Sequence, residues 1–118
     1  MGNLIKNSKN TIVISGGASG IGLAAVKKFL IEGFNVCVLD HNQKALDQLS
    51  QELDNYKTNL FVNVCDITDS EKVALAMDEC LDRFGSINAV LPAAGIVKDH
   101  YFIKTDRNSV LKFVVLKK

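Results

Sequence analysis

The sequence predicts an α/β fold: a doubly wound parallel sheet of about four strands, in the order 3-2-1-4, with helices on its flanks. Three observations carry this. The apolar run Thr11-Ile12-Val13-Ile14 leads into a glycine-rich turn, Ser15 to Gly22 (SGGASGIG), and then into a segment with helical apolar spacing. Apolar runs of strand length then recur, separated by amphipathic stretches. Strands alternating with helices imply parallel pairing through right-handed crossovers. In that order the ligand crevice falls between the first and fourth strands, above Gly16 and Pro92.

Each element has a local reason. Thr11 to Ile14 is apolar enough for a buried strand. From Leu23 to Glu32, residues Ala24, Ala25, Val26, Phe29 and Leu30 fall on the inner side of a helix. Phe34 to Leu39 reads as a second central strand, ending in Asp40. Asn42 to Leu53 sets Ala45, Leu46, Leu49 and Leu53 on one helical face, with Lys44, Asp47, Gln48 and Glu52 outside. Asn55 to Asn59 is a polar turn, and Leu60 to Asp66 a third strand. Thr68-Asp69-Ser70-Glu71 fits a capping box, with Thr68 as N-cap and Glu71 reaching back. The helix it opens buries Val73, Met77, Cys80, Leu81 and Phe84 and stops at Gly85. Ile87 to Leu91 is the fourth strand. Residues 1–118 read as one domain with a divergent tail over 98–118; no internal repeat or linker interrupts it.

The turn between the first strand and helix carries the chemistry. Strand, glycine turn and helix together aim backbone N–H groups and the positive end of a helix dipole at one point, which suits a phosphate. Gly16 allows the tight turn, Gly20 lets a pyrophosphate approach the backbone, and Gly22 permits close helix–strand packing. A nucleoside-triphosphate loop needs Lys and then Ser or Thr after its last glycine, whereas Gly22 is followed by Leu23-Ala24. A cradle made of backbone alone suits the shared pyrophosphate of a dinucleotide. Asp40 stands 18 positions beyond Gly22, close to the approximately 20 expected for a carboxylate that receives an adenosine ribose. That charge repels a 2′-phosphate, and no Lys or Arg sits in the glycine turn to offset it. NAD is therefore expected in preference to NADP.

Composition bounds the alternatives. Hydrophobic residues are 47% and charged residues 23% of 118, a globular balance. Fourteen basic against thirteen acidic side chains give a net +1, which argues against nucleic acid or an anionic membrane as partner. No apolar stretch approaches the ~18 residues of a transmembrane helix, and MGNLIKNSKN lacks a signal-peptide core. Lys6 stands where a myristoylation motif wants Ser or Thr. A cytoplasmic protein is expected. Cys37, Cys65 and Cys80 form no C-x-x-C pair and are odd in number, so they read as buried small hydrophobes. His41 and His100 have no ligand spacing to a cysteine or carboxylate, so no metal site is expected.

On these residues the chain resembles the short-chain dehydrogenases/reductases, whose cofactor domain is Rossmann-like. SGGASGIG is similar to that family's T-G-x-x-x-G-I-G loop, with Ser15 in the Thr place, and Asp40 matches its NAD-selecting acidic residue. Asp66-Ile67 resembles the pair after the third strand that contacts adenine. Pro92-Ala93-Ala94-Gly95 occupies the place of the Asn-Asn-Ala-Gly turn after the fourth strand. Pro92 and Ala93 replace both asparagines, while Ala94 and Gly95 keep the small residues that let backbone lie against the cofactor. The resemblance covers roughly residues 8–97. It implies an NAD-binding set of Gly16, Ala18, Ser19, Gly20, Ile21, Gly22, Asp40, Asp66, Ile67, Ala93, Ala94 and Gly95.

The family's chemistry uses a Tyr and a Lys four residues later, with a Ser that polarises the carbonyl. Here Leu60 follows Tyr56 by four and Thr105 follows Tyr101 by four, so no Tyr-x-x-x-Lys is present. No catalytic residue is assigned. Tyr101 and Lys104 could approach each other only if that segment were helical. The resemblance therefore implies the N-terminal, cofactor-binding half of an NAD-dependent oxidoreductase, alone inactive. The alternative is a non-catalytic NAD-binding or interaction module. Ser109 to Leu116 is expected to be helical by its position in the family, although its valines and phenylalanine suit an edge strand as well. An open edge at the fourth strand, together with this apolar tail, implies a homo-oligomer or another association there.

Overall fold

The computed structural model describes residues 9–93, 99–105 and 111–117. Strands β1 (Thr11–Ser15), β2 (Asn35–Asp40), β3 (Leu60–Val64) and β4 (Ala89–Pro92) alternate with helices α1 (Gly20–Ile31), α2 (Gln43–Glu52) and α3 (Ser70–Phe84). The four strands form one sheet in the order β3-β2-β1-β4, all pairs parallel. This is the Rossmann-like order expected from the strand–helix alternation. β1 and β2 are central and buried along their whole length, which is why both are nearly continuous in apolar residues.

The sheet has a core on each face. One face joins Ile12, Ile14, Val36 and Val38 to Val26 and Leu30 of α1 and to Leu46 and Leu49 of α2. The other joins Val13, Cys37 and Leu39 to Val73, Ala76, Met77 and Cys80 of α3. Alternate residues of each strand thus serve opposite helical layers, as the period of two requires. At the N-terminal ends of the strands, Asn88 Oδ1 accepts from Thr11 N–H at 2.8 Å and Asn59 Nδ2 donates to Asn35 Oδ1 at 2.9 Å. These bonds satisfy polar groups where the ladder ends.

Helix boundaries follow their caps. Asn42 Oδ1 accepts from Ala45 N–H at 3.0 Å and opens α2. Gly85, at φ 85°, closes α3 in the left-handed conformation anticipated for it. The start of α3 differs from the capping-box expectation. Asp69, not Thr68, is the N-cap, its Oδ1 accepting from Glu71 N–H and Lys72 N–H at 3.2 Å each. Thr68 is already engaged, since its N–H and hydroxyl both donate to Asp66 Oδ1, at 3.0 and 2.7 Å. A side-chain turn around Asp66 therefore moved the cap on by one residue.

Two further expectations are corrected. Residues 111–117 are not helical: β6 (Leu111–Lys117) pairs antiparallel with β5 (Asp99–Thr105), from Asp99↔Lys117 to Thr105↔Leu111. Phe113-Val114-Val115 faces Tyr101-Phe102-Ile103 across this register, and aromatic and β-branched residues on both strands favour the ladder over a helix. The pair forms its own two-stranded sheet and does not extend β4. Tyr101 and Lys104 therefore lie on a strand, without the helical spacing that was to bring them together. The second correction concerns the cysteines. All three are buried as anticipated, but Cys37 and Cys80 are joined by a disulfide with their Cα atoms 6.5 Å apart. Only Cys65 is a free thiol among the described residues. Strand β2 and helix α3 set these side chains facing each other across the core, a juxtaposition that spacing along the chain does not reveal.

Candidate functional site

A cavity of about 570 Å³ opens at the C-terminal ends of β1, β2 and β3, the end of a parallel sheet at which ligands bind. It is lined by Gly16, Ala18, Ser19, Gly20, Ile21 and Gly22 from the glycine turn, and by Asp40, Asp66, Ile67 and Ala93. The structure thus gathers ten of the twelve residues singled out from the sequence around one space. The other two, Ala94 and Gly95, lie outside the described residues. Pro92 does not line the cavity; the described lining residues come mostly from the ends of β1, β2 and β3, with Ala93 following β4.

The turn is held in a conformation that needs its glycines. Gly16 has φ 72° and its N–H donates to Leu39 O at 2.7 Å, which ties the turn to the end of β2. A Cβ on Gly22 would collide with the Gly16 carbonyl oxygen and lie 2.8 Å from its carbon and 2.9 Å from Gly17 Cα. Gly22 therefore sets how closely α1 approaches the turn. Gly17 plays a matching part that the motif reading did not assign. Its Cβ would meet Val38 Cγ1 at 2.7 Å and Val26 Cγ2 at 3.1 Å, so it lets the turn lie between β2 and α1. Gly20 differs: at φ 58° a Cβ would meet nothing within 4 Å, so the space in front of it is open to a ligand.

Helix α1 begins there with its dipole uncompensated. Ser19 is the N-cap in an extended conformation but makes no side-chain capping bond, and the first turn carries no acidic residue. The N–H groups of that turn and the partial positive charge of the helix are therefore directed at the cavity. Ile21 is 81% exposed at its rim, an apolar side chain placed where a bound ring or ribose could cover it.

Of the two carboxylates that line the site among the described residues, Asp40 is the buried one. Its residue is buried, at 8% exposure, and both oxygens are held by backbone: Oδ2 accepts from Ala18 N–H at 3.1 Å and Oδ1 from Asn42 N–H at 3.0 Å. An ionised carboxylate offers about four acceptor positions, so these two bonds leave capacity for ligand hydroxyls. The Ala18 bond was not foreseen. It shows that the carboxylate also braces the glycine turn. His41 Nδ1 stands 3.7 Å from Asp40 Oδ1 and is largely exposed. Among the described residues no Lys or Arg lines the cavity.

Sequence reasoning did not mark Leu39, His41, Asn42, Ala45, Cys65 or Thr68 as lining residues. Three of them, Leu39, His41 and Cys65, immediately neighbour Asp40 or Asp66, and the signal available was their position at or just after the ends of β2 and β3. Burial above all pushes the Cys65 thiol up from its usual 9.0, with the charges of Asp66 and Asp69 adding to this and Lys72 opposing it. Ser15, at the end of β1, is fully buried and its Oγ has no partner among the described residues. It stands opposite Pro92 in the β1–β4 register, and its carbonyl accepts from Ala93 N–H at 3.0 Å. Neither of these residues offers the amide side chain found at the equivalent places of the motif it resembles.

Comparison with known proteins agrees with this geometry. The sequence pattern of the short chain dehydrogenases matches residues 10–116. The chain belongs to that family. It is 38% identical over 87 residues to 3beta-hydroxysteroid dehydrogenase 2 of Eggerthella lenta, covering 74% of this chain and 34% of that protein. It is 36% identical over 92 residues to cis-2,3-dihydrobiphenyl-2,3-diol dehydrogenase of Paraburkholderia xenovorans, covering 78% and 32%. Among solved structures, an NAD+-bound xylitol dehydrogenase superposes with a TM-score of 0.64 at 27% identity, covering 69% of this chain and 31% of that one. This short-chain dehydrogenase sequence thus spans about a third of the length of such relatives. Among the described residues no helix is long and apolar enough to cross a membrane.

Proposed function

We propose that this chain is the dinucleotide-holding part of a short-chain oxidoreductase that acts on alcohol or carbonyl groups, and that it takes NAD in preference to NADP. The observation that carries the reading is Asp40, buried at the cavity wall with both oxygens fixed by backbone N–H groups. Its aim is set before any ligand arrives, so two ribose hydroxyls can bind without reordering it. A 2′-phosphate would meet that charge with no lysine or arginine among the described lining residues to neutralise it. The pyrophosphate fits against Gly20 and the first turn of α1, where the donors are backbone and the approach is open. Asp66 and Ile67 are assigned to the adenine, and Ala93, Ala94 and Gly95 to the ribose nearer the nicotinamide. The cofactor, when bound, supplies or accepts the hydride. This chain's residues bind and orient it.

The 118 residues contain no Tyr-x-x-x-Lys, and this supports a second reading for the chain taken alone, a non-catalytic NAD-binding module. β4 is an edge of the four-stranded sheet, which supports association along that strand in either case. Calorimetric titration with NAD and NADP tests the cofactor assignment: NAD should bind at one site and more tightly. Equal or tighter NADP binding would remove the role given to Asp40.

A further inference from the structure

The three cysteines share one side of the sheet. Cys37 on β2, Cys65 just after β3 and Cys80 on α3 all belong to the cluster that packs α3 against the strands, and all are at most 3% exposed. The Cys37–Cys80 bond is the only disulfide among the described residues. Its Cα separation of 6.5 Å lies within the ordinary disulfide range. Its position relative to the cavity gives it a second meaning. Cys37 stands three residues before Asp40 on the same strand, and Cys80 lies on the helix that starts two residues after Thr68. The cavity wall from Cys65 to Thr68 therefore hangs between β3 and a helix that is fastened to β2.

We propose that Cys37 and Cys80 form a reversible dithiol–disulfide pair, whose oxidation locks α3 onto β2 and stiffens the wall of the dinucleotide cavity. The lock itself rests on the cysteine geometry. Only its coupling to ligand rests on the dinucleotide reading.

A small disulfide such as oxidised glutathione is the co-reactant. One cysteine thiolate attacks a glutathione sulfur, forming a mixed disulfide and releasing one glutathione. The second cysteine thiolate then attacks the first cysteine's sulfur in that mixed disulfide, forming the Cys37–Cys80 bond and releasing the other glutathione. Two cysteine thiols lose two electrons and two protons in all, and one oxidised glutathione becomes two reduced ones. A dithiol reverses the sequence. Because both sulfurs are sealed in the core, either direction requires α3 to lift from the sheet, a local opening. A ligand held against residues 65–68 opposes that opening, so binding and reduction are reciprocally linked. Cys65 stays outside the exchange because Cys37 and Cys80 are each other's partner across the core, which leaves Cys65 the free thiol.

The 118-residue chain, equilibrated with oxidised glutathione and alkylated with iodoacetamide in denaturant, should carry one adduct, on Cys65, and no glutathione. After dithiothreitol it should carry three adducts. Three adducts without reduction, or a glutathione adduct in place of the Cys37–Cys80 bond, would overturn the pair. Cys65→Ser should form the same bond, and its failure to do so counts against the proposal equally. The oxidised chain should melt about ten degrees or more above the reduced one; equal midpoints refute the lock. Native-state reduction by dithiothreitol should slow roughly ten-fold in saturating NAD, with NAD binding followed by calorimetry in the same samples. An unchanged rate with NAD bound overturns the coupling. No NAD binding at all refutes the cofactor assignment instead, and the lock is then decided by adduct count and melting.

Discussion

Replacing Asp40 by asparagine removes one negative charge and almost no volume, so it separates the two duties given to this side chain. The first is structural. The carboxylate accepts from Ala18 N–H and Asn42 N–H, one on each oxygen, whereas the amide has one oxygen and one NH2. One of those N–H groups then faces a donor. A buried donor left unsatisfied costs about 1–3 kcal/mol, and in a domain of this size each kcal/mol moves the melting midpoint by roughly 4–8 °C. The second duty is discrimination. Two unit charges about 4 Å apart repel by about 1 kcal/mol in water and about 4 kcal/mol at an effective dielectric of 20. Asp40 is buried but lines an open cavity, between those limits. Removing its charge should therefore relax the preference for NAD by roughly five-fold to several-hundred-fold. Thermal melting and paired titrations with NAD and NADP read the two effects separately. An Asp40→Asn chain that melts like wild type with an unchanged NAD:NADP ratio would rule out both duties for this side chain.

Gly22→Ala pushes a methyl into the Gly16 carbonyl, so the chain should lose about 1–3 kcal/mol, read by urea unfolding, while unchanged stability would show that α1 can retreat freely. A Cβ at Gly20 meets nothing within 4 Å, so in Gly20→Val the fold should survive at a strain of about 1–2 kcal/mol for its left-handed backbone; NAD titration should show lost binding. Cys65 is raised from 9.0, so above pH 9 the unfolded chain ionises first and stability should fall as pH climbs toward the folded value. Below 9 that contribution is fully present. Cys65→Ala should flatten the decline in urea midpoints between pH 8 and 11. Finally, the 118-residue chain with NAD and a panel of alcohols should show no hydride transfer above background by absorbance at the reduced-nicotinamide band, since general acid–base assistance is worth about 10²–10⁴ in rate. Turnover that vanished in Tyr101→Phe would contradict this.

What was legible in the sequence was the part governed by local chemistry. The glycines, the apolar strands and the helical faces each follow from short-range rules, and they gave the sheet order and most of the cavity wall. The cap of α3 was misplaced because two adjacent candidates, Thr68 and Asp69, compete, and the contest is decided by Asp66 capturing Thr68. Residues 111–117 were misassigned because position within the family outweighed the β-branched and aromatic content that a partner strand, β5, could use. The Cys37–Cys80 pair was hidden for a third reason. It joins a strand to a helix 43 positions away across a core whose register neither segment encodes by itself. The bond from Ala18 to Asp40 was likewise invisible, since it depends on how far the turn folds back toward β2.

In the proposed function, the cavity at the ends of β1 to β3 holds the ADP-ribose part of a dinucleotide. Backbone amide chemical-shift mapping of the isotope-labelled chain during titration with ADP-ribose tests this most directly. The largest shifts should fall on Ala18 to Gly22, on Asp40 to Asn42 and on Asp66 to Thr68, saturating together as one site. Shifts confined to other surfaces, or none at concentrations at which NAD is added, would contradict the claim.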